Sequence, residues 1–155
     1  FRTEQMGSAV HAKAMLKYKD KIAGVYILEM IGYFDSRNIQ EYPAGLKFFY
    51  PAHGNFIGAI SNFSSNSLAS NYCSAMKDLN KLDCQRLVAP SFVTGVDFSD
   101  HLNYWNAGIP AIMITDTAFL RNKNYHTPKD KVETLNLKKM SYVIDGVVQT
   151  VMNHK

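Results

Sequence analysis

A three-layer α/β/α sandwich around a mixed, largely parallel sheet is the fold class this sequence predicts. Segments with helical spacing alternate with short runs that are apolar almost throughout. Such runs suit strands covered on both faces, as in α/β layered folds. Polar clusters follow several of the runs, at the strand ends where folds of this class bind ligands. The 155 residues amount to a single domain, 1–155.

The elements follow in order. GSAVHAKAMLKYKD (7–20) is Ala- and Lys-rich, with Val10, Ala14 and Tyr18 at helical spacing, and predicts a helix capped by Ser8. AGVYILEMIGYF (23–34) predicts a buried strand, interrupted by Glu29. Residues 35–55 carry Pro43, Gly45, Pro51 and Gly54 and read as a long excursion, with a short strand at LKFFY (46–50). GAISNFSSNSLASNYCSAMKDLN (58–80) predicts a helix of about five turns, with Ile60, Phe63, Leu68, Tyr72, Met76 and Leu79 as its apolar positions. QRLVAPSFV (85–93) is a second strand. SDHLNYWNAG (99–108) is a short helix opened by Ser99 and closed by Gly108. IPAIMITD (109–116) is a third strand, and residues 136–155 form a closing helix with Leu137, Met140, Tyr142, Val143, Val147 and Val151 inward.

Composition narrows the function. The chain is 46% hydrophobic, 12% aromatic and 19% charged, which is globular. Its net charge of +4 is scattered, with no Lys/Arg cluster of the kind that marks a nucleic-acid patch. No run of about 18 apolar residues is long enough to span a membrane. Cys73 and Cys84 allow one disulfide or two free thiols, and no CxxC or Cys-His cluster suggests a zinc site built from them. The chain opens on Phe1 without an initiator Met, which reads as a fragment, a processed chain or a truncation.

Three polar clusters carry candidate chemistry. Glu29 near the end of the first strand is a carboxylate in an apolar run, costly unless a cation or donors satisfy it. Pairing with Lys or Arg competes there with metal ligation or catalysis. VDFSDH (96–101) follows the second strand, where Asp100 and His101 form either a catalytic dyad or a helix N-terminal pair. NYHTPKD (124–130) follows the third. His126 on that loop is either a metal ligand or a solvated residue, and Tyr125 either an oxyanion donor or a packed ring. The three clusters are expected to converge on one rim. His11, His53 and His154 read as structural or solvated.

LEMIGYF, SDHLNYWNAGIPAIMITDT and NYHTPKDKVETLN, with the helix start MGSAVHAK, resemble the cocatalytic zinc aminopeptidases in the family's order and over nearly the whole chain. That family includes bacterial leucyl aminopeptidases, glutamate carboxypeptidases and, more distantly, glutaminyl cyclases. The resemblance implies a cofactor of two zinc ions, with Glu29 ligating one and His126 the other. It implies Tyr125 as a donor to the substrate carbonyl or tetrahedral intermediate, and Ser99, Asp100 and His101 as a substrate-side stretch. The implied reaction is two-metal hydrolysis of peptides with a free N-terminus.

The resemblance is to the C-terminal half only. None of the five histidines has an Asp two residues on, so the family's His-x-Asp with its bridging ligand is missing. No Glu-Glu pair precedes the first helix, and Glu4 with Gln5 after it is a poor substitute. One carboxylate and one imidazole fall short of the three or four ligands zinc usually takes. The isolated chain is therefore expected to be inactive or nearly so, and an uncovered sheet edge to drive self-association or pairing with a missing N-terminal half. Two other readings stand beside this one. A glutaminyl cyclase usually has Asp at position 29, Pro-Phe after the Asp-His and Trp before the last His. A degenerate relative would serve as a non-catalytic binding or assembly module. Many relatives are exported, which leans localisation toward secreted or periplasmic.

Overall fold

The computed structural model describes residues 2–43 and 45–153, so the His154 reading lies outside the described residues. Four strands form one sheet: β1 (Val25–Leu28), β2 (Phe56–Ser61), β3 (Asp83–Val88) and β4 (Ala111–Thr115), in the spatial order β1-β4-β2-β3. β1 pairs parallel with β4, and β2 parallel with β3. The two parallel pairs meet through an antiparallel β2–β4 ladder with Ile60 opposite Met113. The sheet is thus mixed, as expected.

Helices cover both faces. On one side α2 (Asn66–Leu79) and α4 (Leu137–Met152) close over Ile57, Ala59, Ile112 and Ile114, burying Leu68, Tyr72, Met76 and Val143. The α2–α4 contact is tight: a Cβ on Gly146 would collide with Met76 Sδ. On the other side α1 (Gly7–Met15) and α3 (His101–Asn106) pack through Ala12 and Tyr104 over Ala111, Val25 and Ile27. Cys73 of α2 is disulfide-bonded to Cys84 of β3, which resolves the choice left open by the sequence.

Several elements differ from the sequence reading. The first strand is four residues long, and its chain leaves the sheet at Glu29. GAIS (58–61), assigned to the start of a long helix, belongs instead to the fully buried strand β2, FIGAIS. Asn62 ends it by accepting a hydrogen bond from the Ser65 amide, which starts the 3-10 turn Phe63–Ser65 leading into α2. LKFFY is a 3-10 turn, Leu46–Phe48, entered through Gly45 in the left-handed region. The first helix tightens to 3-10 geometry over Leu16–Lys21. Ser8 does not cap it: its hydroxyl donates to Asp100 Oδ1 at 2.5 Å, tying α1 to α3. Ser99 does not cap α3 either, whereas Gly108 follows the helix in the left-handed conformation expected of it.

Candidate active site

β1 and β4 run the same way, so Glu29 and the segment after Thr115 leave the sheet at one rim. β3 runs the other way, and Val88 at its end is level with Ile112 near the start of β4. The expectation that three carboxyl ends converge is therefore corrected. Residues 89–100 return along the face that displays Ile60 and Met113, anchored by Val96 in the core. That return brings Ser99 to the rim, where its hydroxyl donates to Glu29 Oε2 at 2.9 Å.

Glu29 is held by Ser99 and takes part in none of the ion pairs among the described residues. It lies on the wall of a cavity of about 880 Å³ together with Ser99, Asp100, Tyr125 and His126. Phe56, Ile60, Leu87 and Met113 give the same cavity an apolar floor. The rings of Tyr125 and His126 stack at 3.8 Å. Burial, and then the negative charges of Glu29 and Asp130, push the Tyr125 phenol above its ordinary value.

His101 is elsewhere. It is fully buried, does not line the cavity, and donates from Nε2 to the Val96 carbonyl at 2.7 Å. Its ring meets Trp105 edge-on, and its Nδ1 has no partner among the described residues. Burial lowers its pKa, against the Val96 hydrogen bond and the charges of Asp97 and Asp100, and so favours the neutral ring. Asp100 is tied to Ser8. His11 Nδ1 pairs with the Tyr104 hydroxyl, and His53 Nδ1 accepts from the Asn55 amide, both structural contacts. Glu4 is exposed and is not on the cavity wall.

The loop carrying Tyr125 and His126 is braced by residues that the sequence reading passed over. Asp116 is fully buried and accepts from the amides of Gly32, Tyr33 and Ala118, joining the exits of β1 and β4. Burial pushes its carboxyl up to about 6, against the pull of those amides and of Arg121. Arg121, 1% exposed, donates to Gln40 Oε1 and to the carbonyls of Tyr33 and Phe56, with its guanidinium 4.5 Å from the Phe56 ring centre. Gly54 makes room for it, because a Cβ there would sit 2.8 Å from Arg121 Cδ. Asn122 accepts from the Asn124 amide and donates to Asp130, closing the loop at its base. The available signal was Asp116 ending an apolar strand, the same pattern that drew attention to Glu29.

Of the six non-glycine residues with positive φ among the described residues, four lie at this rim: Met30, Thr117, Ala118 and His126. Such conformations cost roughly 1–3 kcal/mol each and concentrate at functional sites.

Glu29 Oε1 has no hydrogen-bond partner among the described residues, and His126 is exposed at the cavity mouth. An oxygen and a nitrogen donor suit zinc. Their number does not complete a site, since no group of three or more His, Cys, Asp or Glu converges among the described residues.

Ionisable side chains thus stand at the β1 and β4 ends of a three-layer α/β domain. The chain belongs to peptidase family M28, whose sequence model matches residues 4–151. It is 45% identical over 157 residues to the uncharacterized protein YfbL of Escherichia coli, covering all of this chain and 48% of that protein. The fold is similar to the LapA aminopeptidase of Legionella pneumophila, with a TM-score of 0.64 and 17% identity over 97% of this chain and 36% of that one. It is similar also to a Fimbriiglobus ruber glutaminyl cyclase, with a TM-score of 0.66 and 18% identity over 97% and 44%. The chain thus spans about half the length of the relative it matches, or less of the solved structures.

Proposed function

We propose that this chain is the C-terminal part of a zinc-dependent aminopeptidase that removes N-terminal residues from peptides by two-metal hydrolysis. The observation that carries the reading is the shared cavity wall: Glu29 from the β1 end, and Tyr125 and His126 from the loop after β4. Glu29 and His126 would each give a ligand to one zinc ion. Zinc, when bound, supplies Lewis acidity toward the scissile carbonyl and acidifies a water.

The chain's own residues orient and stabilise. Ser99 fixes the Glu29 carboxylate through Oε2 and leaves Oε1 for a cation. The protonated Tyr125 phenol donates to the oxyanion that forms on the carbonyl. The apolar floor takes the side chain of the substrate's N-terminal residue. The bridging carboxylate and the general base are assigned to the half not represented in this chain. The Cys73–Cys84 disulfide supports an exported location, secreted or periplasmic, since disulfides persist in oxidising compartments.

The test uses the complete zinc-loaded protein and aminoacyl p-nitroanilides. Glu29→Ala and His126→Ala are each expected to abolish release of the chromophore. Most of the activity surviving in both would overturn the assignment. Cyclisation of an N-terminal Gln peptide, with no aminopeptidase turnover, would favour the glutaminyl cyclase reading instead.

A further inference from the structure

We infer that a polar cleft beside the Cys73–Cys84 disulfide binds a compact multivalent anion of the oligophosphate type, at a site separate from the candidate active site. The inference goes beyond the aminopeptidase reading and does not rest on it. The cleft encloses about 730 Å³, which is in the size range of small-molecule sites. Four cationic side chains line it: Lys77, Lys81, Arg86 and Lys139. They come from α2, the link between α2 and β3, β3 itself and α4.

The disulfide explains why they meet. It holds α2 and β3 at a Cα–Cα distance of 5.2 Å between Cys73 and Cys84. Lys77 follows Cys73 by one helical turn and so shares its face of α2. Arg86 follows Cys84 by two residues and so shares its face of β3. Each cation stands one structural repeat from a bridged cysteine, and the bridge fixes the two against each other. Lys139 joins them from α4. It is half-buried, donates from Nζ to Asn55 Oδ1 and lies 5.3 Å from the Phe34 ring centre. Neither partner carries a negative charge.

The positive charge of the cleft is poorly compensated. Lys77, Arg86 and Lys139 take part in none of the ion pairs among the described residues. Lys81 pairs with Asp145 at 3.2 Å, but both side chains are exposed, and such a pair is worth little. Asp83 is the one acidic residue on the wall among the described residues. Strand alternation groups its side chain with Gln85 and Leu87, which line the candidate active cavity on the other face of β3. The cleft and that cavity therefore lie back to back across one strand.

Cations gathered without counter-charge repel one another, and a bound anion relieves the repulsion. A chain of phosphates offers charge-assisted acceptors to several of these side chains at once, and the Arg86 fork suits one phosphate bidentately. Ser74 and Asn80 add neutral donors on the same wall.

The test uses the complete protein freed of metal, so that chelation of zinc by the probe plays no part. The probe is tripolyphosphate, titrated calorimetrically in about 0.15 M KCl, where diffuse surface attraction is screened. Saturable one-to-one binding is expected, with a rise in Tm that KCl of equal ionic strength does not give. Lys77→Gln and Arg86→Gln are each expected to weaken binding about tenfold or more, as for loss of one charge-assisted contact. Either variant serves if the other misfolds. Lys17→Gln/Lys19→Gln, in the 3-10 turn after α1 on the other face of the sheet, is expected to leave binding unchanged. No binding, several probe molecules per chain, or an equal loss in the Lys17/Lys19 variant would each overturn the inference. So would binding that survives both Lys77→Gln and Arg86→Gln at full strength.

Discussion

Tyr125 and Asp116 show how burial sets the chemistry of single residues at this rim. Tyr125 is a donor only while protonated, and burial together with Glu29 and Asp130 raises its pKa. Tyr125→Phe in the complete protein is expected to lower kcat by about 10²–10³-fold with a small change in KM, as for loss of one oxyanion donor. Steady-state kinetics on a p-nitroanilide would check it. Asp116 shifts the other balance. Its folded pKa of about 6 lies above the ordinary 3.8, so the folded state binds more protons between the two values. The stability this gives is full below about pH 4 and is lost as the pH rises through about 6. Urea unfolding of the parent and Asp116→Asn should show a stability difference that changes across that window and is flat above it. The donor role of Tyr125 was offered by the loop motif, whereas Asp116, although it ends an apolar run much as Glu29 interrupts one, was passed over because it sits where a strand would be expected to end. The choice left open for His101 could not be made locally, because a buried imidazole donating to a carbonyl has the same local sequence as one that faces a substrate.

The elements that position the site were legible where one period dominated. β4 and α4 have strong patterns and occur where expected, although Leu137 and Val151, expected to face inward on α4, are exposed. β2 did not stand apart, because FIGAIS runs directly into a polar helix and only Asn62 marks the break. LKFFY has strand-forming residues, but Gly45 turns the chain before they can extend. The direction of β3 is a tertiary fact that no local pattern encodes, and with it went the expected convergence of three strand ends. The disulfide joins two such elements, α2 and β3, across a separation of 11 residues. Closing a loop of that length removes denatured-state entropy worth about 3 kcal/mol. Reduction should lower unfolding stability by about that amount, and Cys73→Ser/Cys84→Ser should match the reduced protein.

At the scale of the whole molecule, the sheet ends at β1 on one side and at the disulfide-tied β3 on the other. The candidate site lies toward the β1 side, with fewer donors than zinc needs. After dialysis at micromolar concentration, the 155-residue chain is expected to retain well under one zinc per molecule, and the complete protein two. Metal analysis of both decides this. Two zinc ions on the isolated chain would show that the donor count taken from Glu29 and His126 is too low.

The reversed direction of β3 makes residues 89–100 a measuring tape. The segment starts level with the beginning of β4 and must deliver Ser99 to Glu29 beyond the end of β1. Val96 is pinned in the core part-way along, with the His101 imidazole hooked to its carbonyl. Slack cannot be absorbed between those fixed points. An insertion or deletion between Val96 and Ser99 would leave the carboxylate at the rim without its guide.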